Sequence, residues 1–389
     1  MNSNNHKGDI MGNYELIATS TFGLEAVVKR ELIGLGFKVT KTENGKVTFL
    51  SDEAGIAKAN LWLRSSDRVL LKVGEFNAFT FDELFDKTNA LDWTSIIPSD
   101  GKFTVNGKSV KSKLFSISDC QRIVKKSIVE KMKQHYKVDW LEESGAEYTV
   151  LVSLLNDVAT LTIDTSGTPL HKRGYRVETV LAPIKETLAA AMVLLSYWSK
   201  DRILYDVFCG SGTIPIEAAL IGRNIAPGLY RDFASKHWDM IGEDVWKQEV
   251  KDALKAIDQE IELEIYASDI SQKAIDAAKE NAEEAGVLDD ITFTKQDFKF
   301  VNYAHDYGVI ISNPPYGERI GEDDEIKKLY KDMGFRFSKL PTWSKYIITS
   351  FEGFEDVYRH KADRQRVLYN GKIKTRYYQY YGPRPPKEE

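Results

Sequence analysis

The sequence predicts an α/β protein whose α+β first half precedes an open, mostly parallel sheet with helices between its strands. Three observations predict it. At 389 residues the chain is too long for one ordinary core, so two or three domains are expected. The first half alternates short strands, a hairpin signal and amphipathic helices. From about His171 the pattern changes to short apolar, β-rich runs separated by helical stretches, as strands buried on both faces require. With 42% hydrophobic and 29% charged residues and no apolar run long enough to cross a bilayer, the composition is that of a globular protein. Residues 1–10 are polar and lack a secretory pattern, so a cytoplasmic location is expected.

Taken in order, residues 14–19 read as a strand, 22–35 as an amphipathic helix, and the next two strands join through Asn44-Gly45, a tight-hairpin dipeptide. A helix over 54–63, a strand over 68–73, a helix near 81–87 and a strand near 103–105 follow. A basic helix starts near Ser118, where Ser118 and Gln121 have the spacing of a capping box. Ile123, Val124, Ile128 and Met132 form its apolar stripe, opposite Arg122, Lys125, Lys126 and Lys133. Strands over 148–155 and 158–163 flank a turn at Asn156-Asp157. The second half opens with a helix over 184–197. Its strands are placed at 203–208, 262–268, 291–294, 309–312, 346–349, 364–369 and 373–381. The last two are joined at Asn370-Gly371 as an antiparallel hairpin, and the tail after Gly382 reads as disordered.

The formal net charge of -5 argues against a polyanionic partner, but its distribution does not. Residues 101–140 hold ten basic against three acidic side chains, which makes Lys111, Lys113, Arg122, Lys125, Lys126 and Lys133 candidate phosphate contacts. Cys120 and Cys209 lack the spacing of a disulfide framework or zinc site, and the six histidines are scattered; no metal is expected.

Residues 204–213 end a buried strand in the turn Asp206-Val207-Phe208-Cys209-Gly210-Ser211-Gly212-Thr213 and open a helix. Such a turn brings backbone close to a ligand and aims free N–H groups at it. Pro215 stands where a dinucleotide fingerprint needs its third glycine, and the Gly-Lys-Ser/Thr ending of a P-loop is missing. A ligand with an anionic end but no phosphate remains, and S-adenosylmethionine fits through its carboxylate. Asp269, followed by Ile270, suits the ribose hydroxyls; Asp297 suits the adenine amino group, with Phe298 packing nearby. Either aspartate can also be read as a helix cap.

Behind the fourth strand stands Asn313-Pro314-Pro315-Tyr316. An exocyclic amine on a purine is a poor nucleophile because its lone pair is delocalised. Two acceptors, the Asn313 side-chain oxygen and the Pro314 carbonyl, would take its N–H protons and turn the lone pair toward the methyl group. Tyr316 offers a stacking face for a base taken out of its helix. Read as structure alone, the motif is an ordinary stiff turn.

At residues 313–320, Asn-Pro-Pro-Tyr-Gly-Glu-Arg-Ile, the second half resembles the class I, Rossmann-like amino-methyltransferases, in the form found in bacterial 23S ribosomal RNA guanine-N2 methyltransferases. The first half resembles that family's ferredoxin-like subdomain and THUMP RNA-binding domain, most closely at residues 111–115 and 121–126. The resemblance implies domains at 12–65, 66–166 and 167–384, S-adenosylmethionine as cofactor, and N2-methylation of a guanine in 23S rRNA. It also implies that residues 172–176 and 183–187 line the cofactor pocket or substrate entrance. Some members carry a second, fused methyltransferase; the chain stops short of one, so no second modification is expected. A tRNA guanine-N2 methyltransferase of the same architecture is the nearest alternative. A DNA adenine-N6 enzyme shares Asn-Pro-Pro-Tyr but not the first half, and a non-catalytic ribosome-assembly factor has no need of an intact site. Tyr377, Tyr378, Tyr380 and Tyr381 of the last strand are read as packing in preference to stacking on RNA, and His237-Trp238 either as a substrate contact or as packing.

Overall fold

The computed structural model describes residues 14–177, 184–303, 305–316 and 323–386 and contains two seven-stranded sheets. The first is built from β1 (Tyr14–Ser20), α1 (Glu25–Gly34), β2 (Lys38–Glu43), β3 (Lys46–Ser51), α2 (Glu53–Trp62), β4 (Ser66–Asn77), α3 (Phe81–Asn89), β5 (Lys102–Val110), α4 (Ile117–Tyr136), β6 (Glu147–Leu155) and β7 (Val158–Asp164), in the order β2-β3-β1-β4-β7-β6-β5. Only β5 and β6 run parallel among these pairs. The hairpins form where expected: Gly45 takes φ 74° between β2 and β3, and Asn156 and Asp157 both take positive φ between β6 and β7. A longer β4 than expected joins the two predicted subdomains in one sheet, pairing with β1 through Ser66–Lys72 and with β7 through Leu70–Asn77.

The α4 cap differs from expectation. Ser116, not Ser118, is the N-cap, and its hydroxyl bonds to the Asp119 carboxylate rather than to a backbone amide, so Ser118 and Gln121 form no capping box. The stripe is as expected at Val124, Ile128 and Met132, which are buried with Cys120.

Contacts divide the chain into two units, and the division is not linear. The first holds the residues up to Ser20, Val28–Leu170 and also Arg231–Asp252; the second holds Thr21–Val27, His171–Tyr230 and the chain from Ala253. Arg231–Asp252 brings Phe233, Trp238, Ile241 and Trp246 into the first unit's core. There Trp238 stacks on Tyr148 at 4.7 Å and donates its indole N–H to the Glu147 carbonyl. Of the pair His237-Trp238, Trp238 is therefore packing, whereas His237 is exposed and meets Asp232 at 2.8 Å.

The second half comprises α5 (Glu186–Leu195), β8 (Leu204–Asp206), α6 (Thr213–Gly222), α7 (Glu243–Lys255), β9 (Ile265–Asp269), α8 (Gln272–Glu284), β10 (Ile291–Lys295), β11 (Val309–Ser312), α9 (Asp323–Ser338), β12 (Ser344–Thr349), α10 (Phe354–Tyr358), β13 (Arg364–Asn370) and β14 (Ile373–Tyr380). Its sheet order is β10-β9-β8-β11-β12-β14-β13, with β14 antiparallel to β12 and β13. After β10 the chain crosses to the far side of β8, so the order reverses between β8 and β11; open sheets bind ligands at such a point. Two clusters cover the faces of this sheet. One holds α5, α6 and α8 against Leu204, Ile265 and Tyr377; the other holds Tyr330, Met333 and Phe337 of α9 and Phe354 of α10 against Tyr205, Tyr378 and Tyr380. The tyrosines of β14 thus alternate into two cores, and only Tyr381 beyond it is exposed.

Candidate active site

The turn after β8 is built on two glycines in left-handed backbone conformations. Gly210 and Gly212 take φ of 51° and 81°, and Gly212 is the N-cap of the buried α6. Asp206 is buried at the strand's end. Its Oδ1 accepts from the Phe208 amide at 3.2 Å and the Ser312 hydroxyl at 2.9 Å, while Oδ2 has no partner. Burial pushes this carboxyl up to about 7; the amide and hydroxyl bonds oppose the rise and Asp269 adds to it. Burial likewise raises the Cys209 thiol, with Asp206 and Asp269 adding to the effect, which leaves Cys209 a packing residue.

The predicted ligand positions gather at this turn. Asp269 accepts from the Gly210 amide at 3.1 Å through Oδ2 and from the Ser271 amide at 2.9 Å through Oδ1. It ties the ends of β8 and β9 together, and Ser271, not Asp269, caps α8. Each carboxylate oxygen can accept a second bond. Ile270 beside it is 69% exposed, an apolar side chain held open at the sheet's ligand end. Asp297 does cap the short turn Phe298–Phe300 through the Lys299 amide. Phe298 is buried with its ring 5.2 Å from that of Phe208. A buried carboxylate with an unpartnered oxygen, backbone amides at a helix start and exposed apolar surface beside Asp269 together suit a zwitterionic, adenine-bearing ligand.

Ser312 ends β11 and was not singled out in the sequence. Its hydroxyl donates to Asp206 Oδ1 and accepts from the Val207 amide at 3.2 Å, so the turn after β8 and the loop after β11 share one buried group. Next in the chain, Asn313 is half-buried and accepts a short hydrogen bond from the Tyr316 hydroxyl at Oδ1. A hydroxyl donor at that point requires the amide oxygen, not the nitrogen, to face Tyr316. Pro314 is buried and Pro315 exposed; the Pro315 carbonyl accepts from the buried Tyr330 hydroxyl at 2.6 Å, which in turn contacts Thr349 Oγ1 at 2.8 Å. Gly317 to Ile320 and Pro183, also named above, lie outside the described residues.

Among residues 172–176, Arg173, Gly174 and Tyr175 line a small cavity with Leu220 and Tyr230, and the buried side chains are tied to the neighbouring helices. Arg173 and Tyr175 are buried on Glu217 of α6 at 3.3 and 3.1 Å, and Arg176 binds Glu186 at 2.8 Å and Thr213 Oγ1 at 3.1 Å. Asn281 of α8 donates to the Ser211 carbonyl and accepts from the Val177 amide. The signal for these was a lone charged residue in an apolar helix, Glu217 in Thr213–Gly222. Burial raises the Glu186 carboxyl against the lowering effect of Arg176.

On the first unit, Arg122, Lys125 and Lys126 line a groove of about 430 Å³ with Val105 and Gln121. Each is paired with an acid: Arg122 with Asp119, Lys125 with Glu143 and Lys126 with Glu130, at 3.3, 3.3 and 3.8 Å. Lys111 and Lys113 stand exposed in the loop before α4, and Lys133 lies half-buried in its last turns. Among the described residues no cluster of three or more His, Cys, Asp or Glu could hold a metal, and no helix is long and apolar enough to cross a membrane.

Three family models match the chain: an RlmL ferredoxin-like domain over residues 15–70, a THUMP domain over 78–164 and an RMKL-like methyltransferase domain over 173–379. Bacillus subtilis YpsC, named as a candidate RNA methyltransferase, is 54% identical over 381 residues, 97% of this chain and 99% of that one. The ribosomal RNA large subunit methyltransferase K/L of Shewanella baltica is 32% identical over 367 residues, 92% of this chain and 51% of the relative, so the chain spans about half that relative's length. Among solved structures, SMU.472, a candidate methyltransferase complexed with SAH, is 44% identical with a TM-score of 0.91, covering 96% of this chain and 99% of that one. A predicted N6-adenine-specific DNA methylase of Listeria monocytogenes is 50% identical, also at 0.91, covering 95% and 96%. SAH is what S-adenosylmethionine becomes when its methyl group leaves. Since the match over residues 173–379 takes in the glycine turn and the Asn-Pro-Pro-Tyr loop together, the chain belongs to the RMKL-like family of S-adenosylmethionine-dependent methyltransferases.

Proposed function

We propose that the protein methylates the exocyclic N2 of a guanine in 23S rRNA. One observation carries the chemistry: Asn313 follows directly on Ser312, whose hydroxyl bonds both Asp206 and Val207, so the acceptor loop is anchored to the donor turn. The donor supplies an electrophilic methyl group. Asp206, Phe208, Gly210, Ser211, Gly212 and Thr213 would hold its amino-acid end, Asp269 and Ile270 its ribose, and Asp297 and Phe298 its adenine. Asn313 Oδ1 and the Pro314 carbonyl accept the two N–H protons of the guanine amine and localise its lone pair. Oδ1 has two lone pairs, so it can keep the Tyr316 hydroxyl while accepting one of them. The ring of Tyr316 stacks on the flipped base. The proton leaves after transfer, once the nitrogen is cationic, so no strong base is needed.

RNA is favoured over DNA by the THUMP match and by the names of YpsC and the K/L methyltransferase; the Listeria name points to adenine N6 in DNA, an amine of the same chemistry. Labelled methyl transfer to unmodified 23S rRNA, 16S rRNA, tRNA and DNA, followed by nucleoside analysis, separates these. N2-methylguanosine in 23S rRNA is expected. Label confined to tRNA or to DNA adenine replaces the substrate, and no label anywhere removes the catalytic assignment.

A further inference from the structure

We propose that the loop between β5 and α4, rather than the α4 groove, is a preformed platform on which unpaired RNA nucleotides stack. Leu114 is buried and anchors the loop, its carbonyl taking the Ser109 hydroxyl at 2.7 Å, and this throws its neighbours Lys113 and Phe115 outward. Phe115 is 82% exposed. At the ends of β5 and β6, the cross-strand partners Val110 and Leu155 are about half exposed, and Phe79 carries the ammonium of Lys113, two residues before Phe115, 4.9 Å over its ring.

The loop is pinned. Ser112 Oγ donates to the Val110 carbonyl and accepts from the Asp157 amide, and Asp157 Oδ1 accepts from the Lys113 amide at 2.6 Å. Lys111 takes a left-handed φ of 51° within it. A restrained loop that holds a phenyl ring in water offers that ring to a ligand with little further ordering to be lost on binding.

Charge selects the occupant. The three cations of the α4 groove are each neutralised by an acid, whereas among the described residues Lys108, Lys111 and Lys113 join no ion pair. Asp157 is half-buried beneath the loop, and Glu83 is already bonded to Lys87 and the Phe79 amide. Lysines outside any ion pair, interleaved with exposed rings, suit a polyanion bearing flat apolar groups, which is single-stranded nucleic acid; duplex bases are already stacked and offer no face.

The proposal rests on the RNA reading above. Its test is anisotropy of a labelled single-stranded oligoribonucleotide of about 12 nucleotides and of a blunt RNA duplex, titrated across salt concentrations. The wild type is expected to prefer the single strand. F115A is expected to weaken single-strand binding roughly ten-fold or more with the salt slope unchanged. K111Q/K113Q is expected to flatten the slope by about 1.4, two phosphate contacts on a single strand. R122Q/K125Q/K126Q is expected to change either less. Phe115 is exposed, so melting temperature and SAH affinity stay at wild-type values and exclude misfolding. Unchanged single-strand binding in F115A overturns the platform, even where the patch then captures a protein; loss confined to the α4 triple variant moves the surface to that groove. A wild type that binds neither RNA removes the RNA reading itself along with this inference.

Discussion

Asn313 presents an oxygen rather than a nitrogen to its surroundings because the Tyr316 hydroxyl donates to it. Asn313→Ala removes that acceptor and is expected to lower methyl transfer by about 10²–10³-fold while SAH still binds, as calorimetry on the same preparation will tell. Retained turnover would sink the mechanism. Asp206 yields a pH prediction. Its folded-state pKa of about 7 lies above the ordinary 3.8, so the folded protein holds this proton more tightly than the unfolded chain. The stability it contributes is fully present below about pH 4 and is lost as pH rises through 7, on the order of 4 kcal/mol in all. Asp206→Asn keeps an acceptor for Phe208 and Ser312 but does not titrate. Urea midpoints at pH 5 and pH 8 should therefore differ less in the variant than in the wild type.

At the scale of the element, the loop after β11 is held by α9 and β12. The Tyr330 hydroxyl on α9 fixes the Pro315 carbonyl and meets Thr349 at the end of β12. Tyr330→Phe takes the hydroxyl donor from the Pro315 carbonyl, while Thr349 Oγ1 keeps the Phe351 amide, at about 1–3 kcal/mol of stability. Because it loosens the loop that aims Asn313, kcat is expected to fall about ten-fold with the SAH dissociation constant unchanged. Equal loss in both would make Tyr330 a purely structural residue. The turn after β8 behaves in the opposite way. At Gly212 a Cβ would sit at φ 81° and 3.0 Å from the Ala278 Cβ, with α8 backbone 3.3 Å away. Gly212→Ala should cost about 1–3 kcal/mol in thermal or urea melts and weaken SAH as well.

At the scale of the whole molecule, Arg231–Asp252 leaves the second unit's chain between β8 and β9 to finish the core of the first. Trp238→Ala, which uncovers Tyr148, is expected to destabilise the first unit by about 3–5 kcal/mol while SAH affinity is kept. A parallel loss of SAH binding would show that the units do not unfold separately.

Much of this was legible because it is local. Asn44-Gly45, Asn156-Asp157 and Asn370-Gly371 are short-range turn chemistry, and the strands and glycine turn of the second half announce themselves by apolar period and residue type. Asp206, Asp269, Asp297 and Asn313 were placed by their order behind successive strands, which parallel topology turns into proximity. What the tertiary structure alone decided depends on partners distant in sequence. Ser312 matters because Asp206 lies 106 residues away, Asp269 because it meets Gly210, and Tyr330 because α9 folds back on Pro315. The basic stretch of residues 101–140 could be counted, but which of its charges are neutralised was set by where Asp119, Glu130 and Glu143 come to lie. A sequence specifies residue types and their periods; burial and pairing, which fix pKa, charge and exposure, exist only once the chain has closed on itself.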